Sequence, residues 1–221
     1  MTVQFYWGSG SPYSWRVHMV LEFKGIPYDS KLLSFSAGEH KSPEYVALNP
    51  RGKVPTIVVG DDVVYESAAC LRYLEAAFPE PPIFGSTPAE SARIARVISE
   101  YDAYLDSATS RQVVLPIFFN RVEGNEDSLR EGLEVLHREL GILEASLTGD
   151  WLAGDAFSAA DIHLTPGIHA LLRAAGKPTA DAFDGLGLRA LPDRYPRIAA
   201  WLDRVAALPW FDRTYPPHWK G

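Results

Sequence analysis

Residues 38–75 read GEHKSPEYVALNPRGKVPTIVVGDDVVYESAACLRYLE, and their punctuation sets the fold. Ser42 is placed to cap a short helix over Pro43–Leu48, with the proline at its first position. Thr56–Val59 and Val63–Tyr65 are β-prone runs joined by Gly60-Asp61-Asp62, a hairpin signal. Ser67–Phe78 then reads as a helix. Upstream, the aromatic run Val3–Trp7 is a strand that Gly8-Ser9-Gly10 ends. Ser11-Pro12 opens a helix over about Ser14–Lys24, with Val17, Val20 and Leu21 at helical spacing. Gly25-Ile26-Pro27 stops it, and Tyr28–Leu33 is a second strand. The order is βαβ-αββα, a compact α/β half over residues 1–80.

Residues 81–88 lie in a proline-rich stretch that reads as a linker. Residues 89–221 are helical throughout, with candidate helices over Ala89–Leu105 or further, Ser128–Leu147, Ser158–Ala175 and Arg194–Leu208. The chain holds no internal repeat and no low-complexity tract. An α/β half therefore precedes an all-α half.

The residues that carry chemistry cluster in the first half. Proline has no N–H and stops ladder pairing at its position, so Val54-Pro55, just before a strand, leaves the N–H and C=O of Val54 open to a ligand backbone. A loop proline at a strand start is also common. Glu66-Ser67 stands at a strand-to-helix junction, where unpaired N–H groups and the helix dipole favour an anion. Ser67 offers a hydroxyl and an N–H to a carboxylate, and Glu66 offers a charge to an ammonium. Read alone, Ser67 is more simply a helix cap. His40, Lys41 and Lys53 supply cations for a second carboxylate, although such residues usually make a solvated loop. These features together complement a small zwitterionic peptide that carries a thiol.

This layout resembles the glutathione-binding domain of the cytosolic glutathione S-transferases. The match GEHKSPEYVALNP is most like the phi class, and the serine turn adds theta- and zeta-like features. The resemblance is specific in the first half and general in the second. It implies a thioredoxin-like N-terminal domain followed by an all-helical C-terminal domain that contributes the electrophile pocket. It implies a cis Val54-Pro55 bond, with Val54 pairing with the cysteinyl unit of glutathione as co-substrate. His40, Lys41 and Lys53 would then grip the glycyl carboxylate, and Glu66 and Ser67 the γ-glutamyl end. A free thiol has a pKa of about 8.5 and is mostly protonated at neutral pH, so the protein must stabilise its anion. Ser11 aligns with the family's active serine, as a hydrogen-bond donor to sulfur. Ser14 is the second candidate and Ser9 the third, and turn or capping roles account for the others. The activity implied is attack of the glutathione thiolate on a small electrophile, in a detoxifying, cytoplasmic homodimer.

Two departures narrow the reading. Zeta-class isomerases carry Ser-Ser-Cys where this chain has Ser11-Pro12-Tyr13, which counts against maleylacetoacetate isomerase despite the shared SWRV. Omega and beta classes place a cysteine in this turn, so thiol-disulfide exchange through the protein is not expected. Cys70, the single cysteine, falls inside a helix and reads as a small core residue. The same bound thiolate would serve a peroxidase, dehalogenase or isomerase, and a transferase-like ligand carrier is the non-catalytic alternative.

For the electrophile, Trp7 and Tyr13 are candidates in the first half, and Tyr104, Phe118 and Phe119 in the second. Aromatic runs are more often core than site. Leu115-Pro116-Ile117-Phe118-Phe119 is expected to interrupt a helix and to form a pocket wall. Ser158-Ala159-Ala160-Asp161 is a capping box, hence a folding element. His163 and His169 do not share a helical face, so no metal site is expected.

The bulk properties agree. The 221 residues are 47% hydrophobic and 22% charged, as in a globular chain with a packed core. A net charge of −7 argues against nucleic acid or membrane as partner through a broad basic surface. The stretch MTVQFYWGSG has no basic flank and no long apolar run, so a secretory signal is not expected, and no run is long and apolar enough to suggest a membrane span.

Overall fold

The computed structural model describes residues 2–219. They form two compact units, one of residues up to Ile83 together with those from Leu208 onward, the other Phe84–Ala207. The first unit is α/β and the second all-helical.

In the first unit, β1 (Val3–Trp7), α1 (Pro12–Phe23), β2 (Tyr28–Leu32), α2 (Pro43–Leu48), β3 (Thr56–Val59), β4 (Asp62–Tyr65) and α3 (Ser67–Ala77) follow the expected order. The sheet runs β2-β1-β3-β4. β1 pairs parallel to β2, with Phe5 opposite Ser30. It pairs antiparallel to β3, with Phe5 opposite Ile57, and β3 pairs antiparallel to β4 across the hairpin. Alternation divides β1 between two faces. Phe5 and Trp7 stand against His18 of α1, whereas Tyr6 meets Tyr45 of α2.

Helix α1 is buried along its whole middle, from Ser14 to Leu21. A helix covered all round needs neighbours on every side. Sheet and α3 provide some of them. Others come from the segment after Leu208, which holds α11 (Phe211–Thr214) and a 3₁₀ turn over Pro217–Trp219. Trp15 packs edge-on against Tyr215 and Trp219, and its indole N–H donates to Thr214 Oγ1 at 2.9 Å. Arg213 Nε donates to Glu22 Oε2 at 2.6 Å. These residues thus run alongside α1, a return that chain order had hidden by assigning them to the helical half.

The second unit opens with α4 (Pro88–Glu100), whose Thr87 and Glu90 form a capping box. The helix does not stop there. Wide π turns over Tyr101–Asp106, α5 (Ser107–Thr109), further π turns over Ser110–Val114 and α6 (Leu115–Phe118) carry it on. Residues 115–118 are therefore helical, against the expected interruption. A widened turn relieves the clash between a proline ring and the preceding turn, so Pro116 is accommodated. The helix ends at Phe119, with φ −97° and ψ 11°. Next come α7 (Glu126–Ser146), α8 (Ala159–Ala175), 3₁₀ turns over Pro178–Gly187, α9 (Leu191–Arg194) and α10 (Pro196–Ala206).

The Ser158 capping box forms as expected and organises the core of this unit. The Asp161 carboxylate is fully buried. It accepts from Leu152 N at 3.0 Å, Ser158 N at 2.9 Å, Ser158 Oγ at 3.1 Å and Trp201 Nε1 at 2.8 Å. Burial raises its pKa, and the donors oppose that rise. Asp161→Ala strands four donors, and we expect a loss of about 3–5 kcal/mol, the cost of breaking a buried charged network. Urea unfolding should show a lower midpoint, with Asp161→Asn losing less. A loss below about 1 kcal/mol would contradict this.

Candidate active site

The serine turn begins where β1 ends. Ser11 N donates to Gly8 O at 3.1 Å and closes the turn. Ser11 is the N-cap of α1, and its Oγ accepts from Ser14 N at 3.2 Å. A hydroxyl that accepts in this way keeps its own proton to donate. Ser11 is half-buried. Ser14 is 1% exposed, and its Oγ accepts from Gly8 N at 3.4 Å, so it braces the turn from beneath. Ser9 Oγ lies 2.8 Å from His218 Nδ1. The three serines therefore occupy three different environments, and Ser11 combines access, a spare proton and the positive end of α1.

Gly8 is bare because the Phe35 ring occupies the space a Cβ would need. Phe35 meets the His40 ring edge-on at 5.2 Å. His40 is half-buried, and its Nδ1 is buried without a hydrogen-bond partner. The loop from Phe35 to His40 thus abuts the turn.

Val54-Pro55 is a cis peptide, as the resemblance implied. A buried network holds the loop that carries it. Tyr45 Oη donates to Lys53 O at 2.5 Å and lies 2.8 Å from Thr56 Oγ1. Because the Tyr45 proton goes to Lys53, Thr56 is the donor of that second bond. Asn49 Nδ2 donates to Lys53 O at 2.7 Å and to Thr56 Oγ1 at 3.3 Å. Tyr45, Asn49 and Thr56 are each at most 3% exposed. Lys41 Nζ donates to Gly52 O at 2.7 Å and Arg51 O at 3.4 Å. Lys41 therefore braces this loop, and an ammonium has a third proton for an anion. The Lys53 side chain is exposed.

At the start of α3, Glu66 takes φ 68° and ψ 119°. That is unusual for a residue with a Cβ and marks a constrained position. Its side chain is exposed. Ser67 is 6% exposed, and Arg16 Nη1 lies 3.5 Å from its Oγ. Arg16 is itself 3% exposed, and its guanidinium stands 4.9 Å from the Tyr13 ring centroid. A buried guanidinium at the base of α3 adds positive potential to the helix dipole there.

Trp7 is half-buried, and its indole donates to Ser30 Oγ at 2.8 Å while its ring lies 5.4 Å from that of His18. Burial lowers the His18 pKa to about 4, so this imidazole is neutral at physiological pH. Tyr13 is 42% exposed. In the helical unit Tyr104 is 59% and Phe119 61% exposed, and Phe118 is half-buried beneath Lys177 Nζ. Cys70 is fully buried, and burial pushes its thiol up to about 12, which leaves it without nucleophilic character at neutral pH.

Sequence reasoning passed over Tyr45, Asn49, Thr56, Arg16, Phe35 and His218. Asn49 stands within the quoted NPRGKVP run, and Arg16 follows directly on SPYSW. Neither carries a mark of its structural role: Arg16 meets Ser67 across 51 positions, and Asn49 meets Lys53 and Thr56 in a loop that follows no regular period.

Comparison with known proteins agrees with this geometry. Residues 10–77 match the glutathione S-transferase N-terminal domain, and residues 107–209 the glutathione S-transferase C-terminal domain. The chain is 34% identical to glutathione S-transferase A of Pleuronectes platessa, covering 96% of this chain and 91% of that one. It is 30% identical to maleylacetoacetate isomerase of Pseudomonas aeruginosa, covering 98% and 96%. Among solved structures, a glutathione S-transferase from the Antarctic clam Laternula elliptica superposes with a TM-score of 0.81 at 36% identity, over 99% of this chain and 94% of that one. The chain belongs to the glutathione S-transferase family.

The buried network around Lys53 O makes a specific demand. Tyr45→Phe removes its central hydroxyl, and we expect a stability loss of about 1–2 kcal/mol. Glutathione affinity should fall about 3–10-fold because Val54 loses its placement. Thermal unfolding and calorimetric titration check both. Unchanged affinity would separate this network from the ligand site.

Proposed function

We propose that this protein is a glutathione transferase in which the Ser11 hydroxyl and the N-terminus of α1 stabilise the thiolate of bound glutathione. Val54 pairs with the cysteinyl backbone. Ser67 and Glu66 take the γ-glutamyl carboxylate and ammonium, with Arg16 adding charge beneath. His40, Lys41 and Lys53 face the glycyl carboxylate. The observation that carries the reading is the state of Ser11, a helix cap that accepts from Ser14 N and keeps its proton to donate to sulfur.

The thiol proton passes to solvent when the anion forms. The sulfur lone pair then attacks an electrophilic carbon, a C–S bond forms, and a leaving group departs with the electrons of its bond. With an enone acceptor, the adjacent carbon takes up a proton instead. Proximity and a stabilised anion supply the rate enhancement. Tyr13 and Trp7 in the α/β unit are our candidates for apolar contact with the acceptor. A homodimer, a detoxifying role and a cytoplasmic location follow from the family's usual form. Sedimentation at micromolar concentration tests the first of these.

The similarity to an isomerase supports a second reading with the same thiolate. The turn Ser11-Pro12-Tyr13 lacks the cysteine that the zeta-class turn carries, which favours transfer.

Ser11→Ala should lower kcat/KM for a halide acceptor by about 10²–10³, as loss of an anion-stabilising donor does. Ser14→Ala should act mainly on stability, since its hydroxyl is buried. Full activity in Ser11→Ala together with inactivity of a folded Ser14→Ala would reverse the assignment.

A further inference from the structure

The returning segment does more than cover α1, because its last described turn reaches the serine turn itself. Ser9 Oγ and His218 Nδ1 are 2.8 Å apart. Gly10 has φ +82°, and a Cβ there would stand 2.9 Å from His218 Cε1 and 3.3 Å from Trp219 Nε1. The imidazole and indole therefore rest on bare backbone between Ser9 and Ser11. Their position is anchored along α1, through Arg213 on Glu22 at 2.6 Å and Thr214 on Trp15 at 2.9 Å. Ser9 and Gly10 lead directly into Ser11, whose N–H closes the same turn on Gly8 O. A displacement of Ser9 thus moves the N-cap hydroxyl, and a hydrogen bond to sulfur is sensitive to shifts well below 1 Å.

We propose that His218 is a positioning residue for the transferase reaction: by holding Ser9 it fixes the turn that aims the Ser11 hydroxyl at the glutathione sulfur. This rests on the serine-turn reading given above. His218 does not touch the reacting atoms in this scheme. Its effect is transmitted through Ser9 and the Gly10 backbone.

The test uses the full chain with reduced glutathione and a halide acceptor. It reads kcat/KM, the melting temperature, and the pKa of the bound thiol from thiolate absorbance. His218 is exposed, so His218→Ala should fold. We expect it to lower kcat/KM about 3–10-fold, the equivalent of one neutral hydrogen bond, and to raise the bound thiol's pKa. His218→Asn places an amide near the Nδ1 position and should restore most of both. His218→Gln, whose amide lies near Nε2, should not. Ser9→Ala should match His218→Ala, and the double variant should be no worse than either.

If His218→Ala and Ser9→Ala leave rate and thiol pKa unchanged while Ser11→Ala is inactive, the positioning role is overturned and the serine-turn reading stands. A change confined to melting temperature overturns it equally. If Ser11→Ala is itself silent, the serine-turn reading fails, and the role proposed for His218 fails with it.

Discussion

One hydrogen bond, from Ser14 N to Ser11 Oγ, sets the conditions for the chemistry proposed at the serine turn. It caps α1, and it fixes the hydroxyl that is left with a proton to give. Everything around it serves to keep that turn still. Ser14 is buried below and receives Gly8 N, the Phe35 ring fills the space over Gly8, and the residues after Leu208 pack alongside Trp15. The middle of α1 is covered on all sides, so the helix has little freedom to tilt its N-terminus. A preorganised donor of this kind need not reorganise when charge develops on sulfur.

The loop that carries Val54-Pro55 follows the same logic. Lys53 O is the meeting point of Tyr45 and Asn49, and Lys41 ties down the carbonyls just before it. A polar network in a buried setting is stable only when every member is satisfied. Here the partners of Tyr45 and Asn49 close on one another through Thr56. Lys41 is thus at once a brace for the loop and a cation beside it, two roles compatible with one ammonium.

Much of the α/β unit was legible because its punctuation is local. Ser42-Pro43, Gly60-Asp61-Asp62 and Ser11-Pro12 act within one turn, and α2, β3 and the start of α3 lie where those signals put them. Position in space was less legible. The partners of Tyr45 are eight and eleven residues away, and Ser9 meets a residue 209 positions later, at a separation that no periodicity records. The wide turns between Tyr101 and Val114 also lack a residue signature, so Pro116 read as a break where it is the opening of a last helical turn. Among the three serines, burial separates Ser14 from Ser11, a difference that their places in the turn do not record.

If this turn ionises the thiol of bound glutathione, calorimetric titration with reduced glutathione in buffers of different ionisation enthalpy reads the ionisation directly. Binding should release a clear fraction of a proton per site near pH 7, because the bound thiol's pKa falls toward neutrality from the ordinary value of about 8.5. Binding without proton release near neutrality would contradict it, since a thiol left at its ordinary pKa is mostly protonated there.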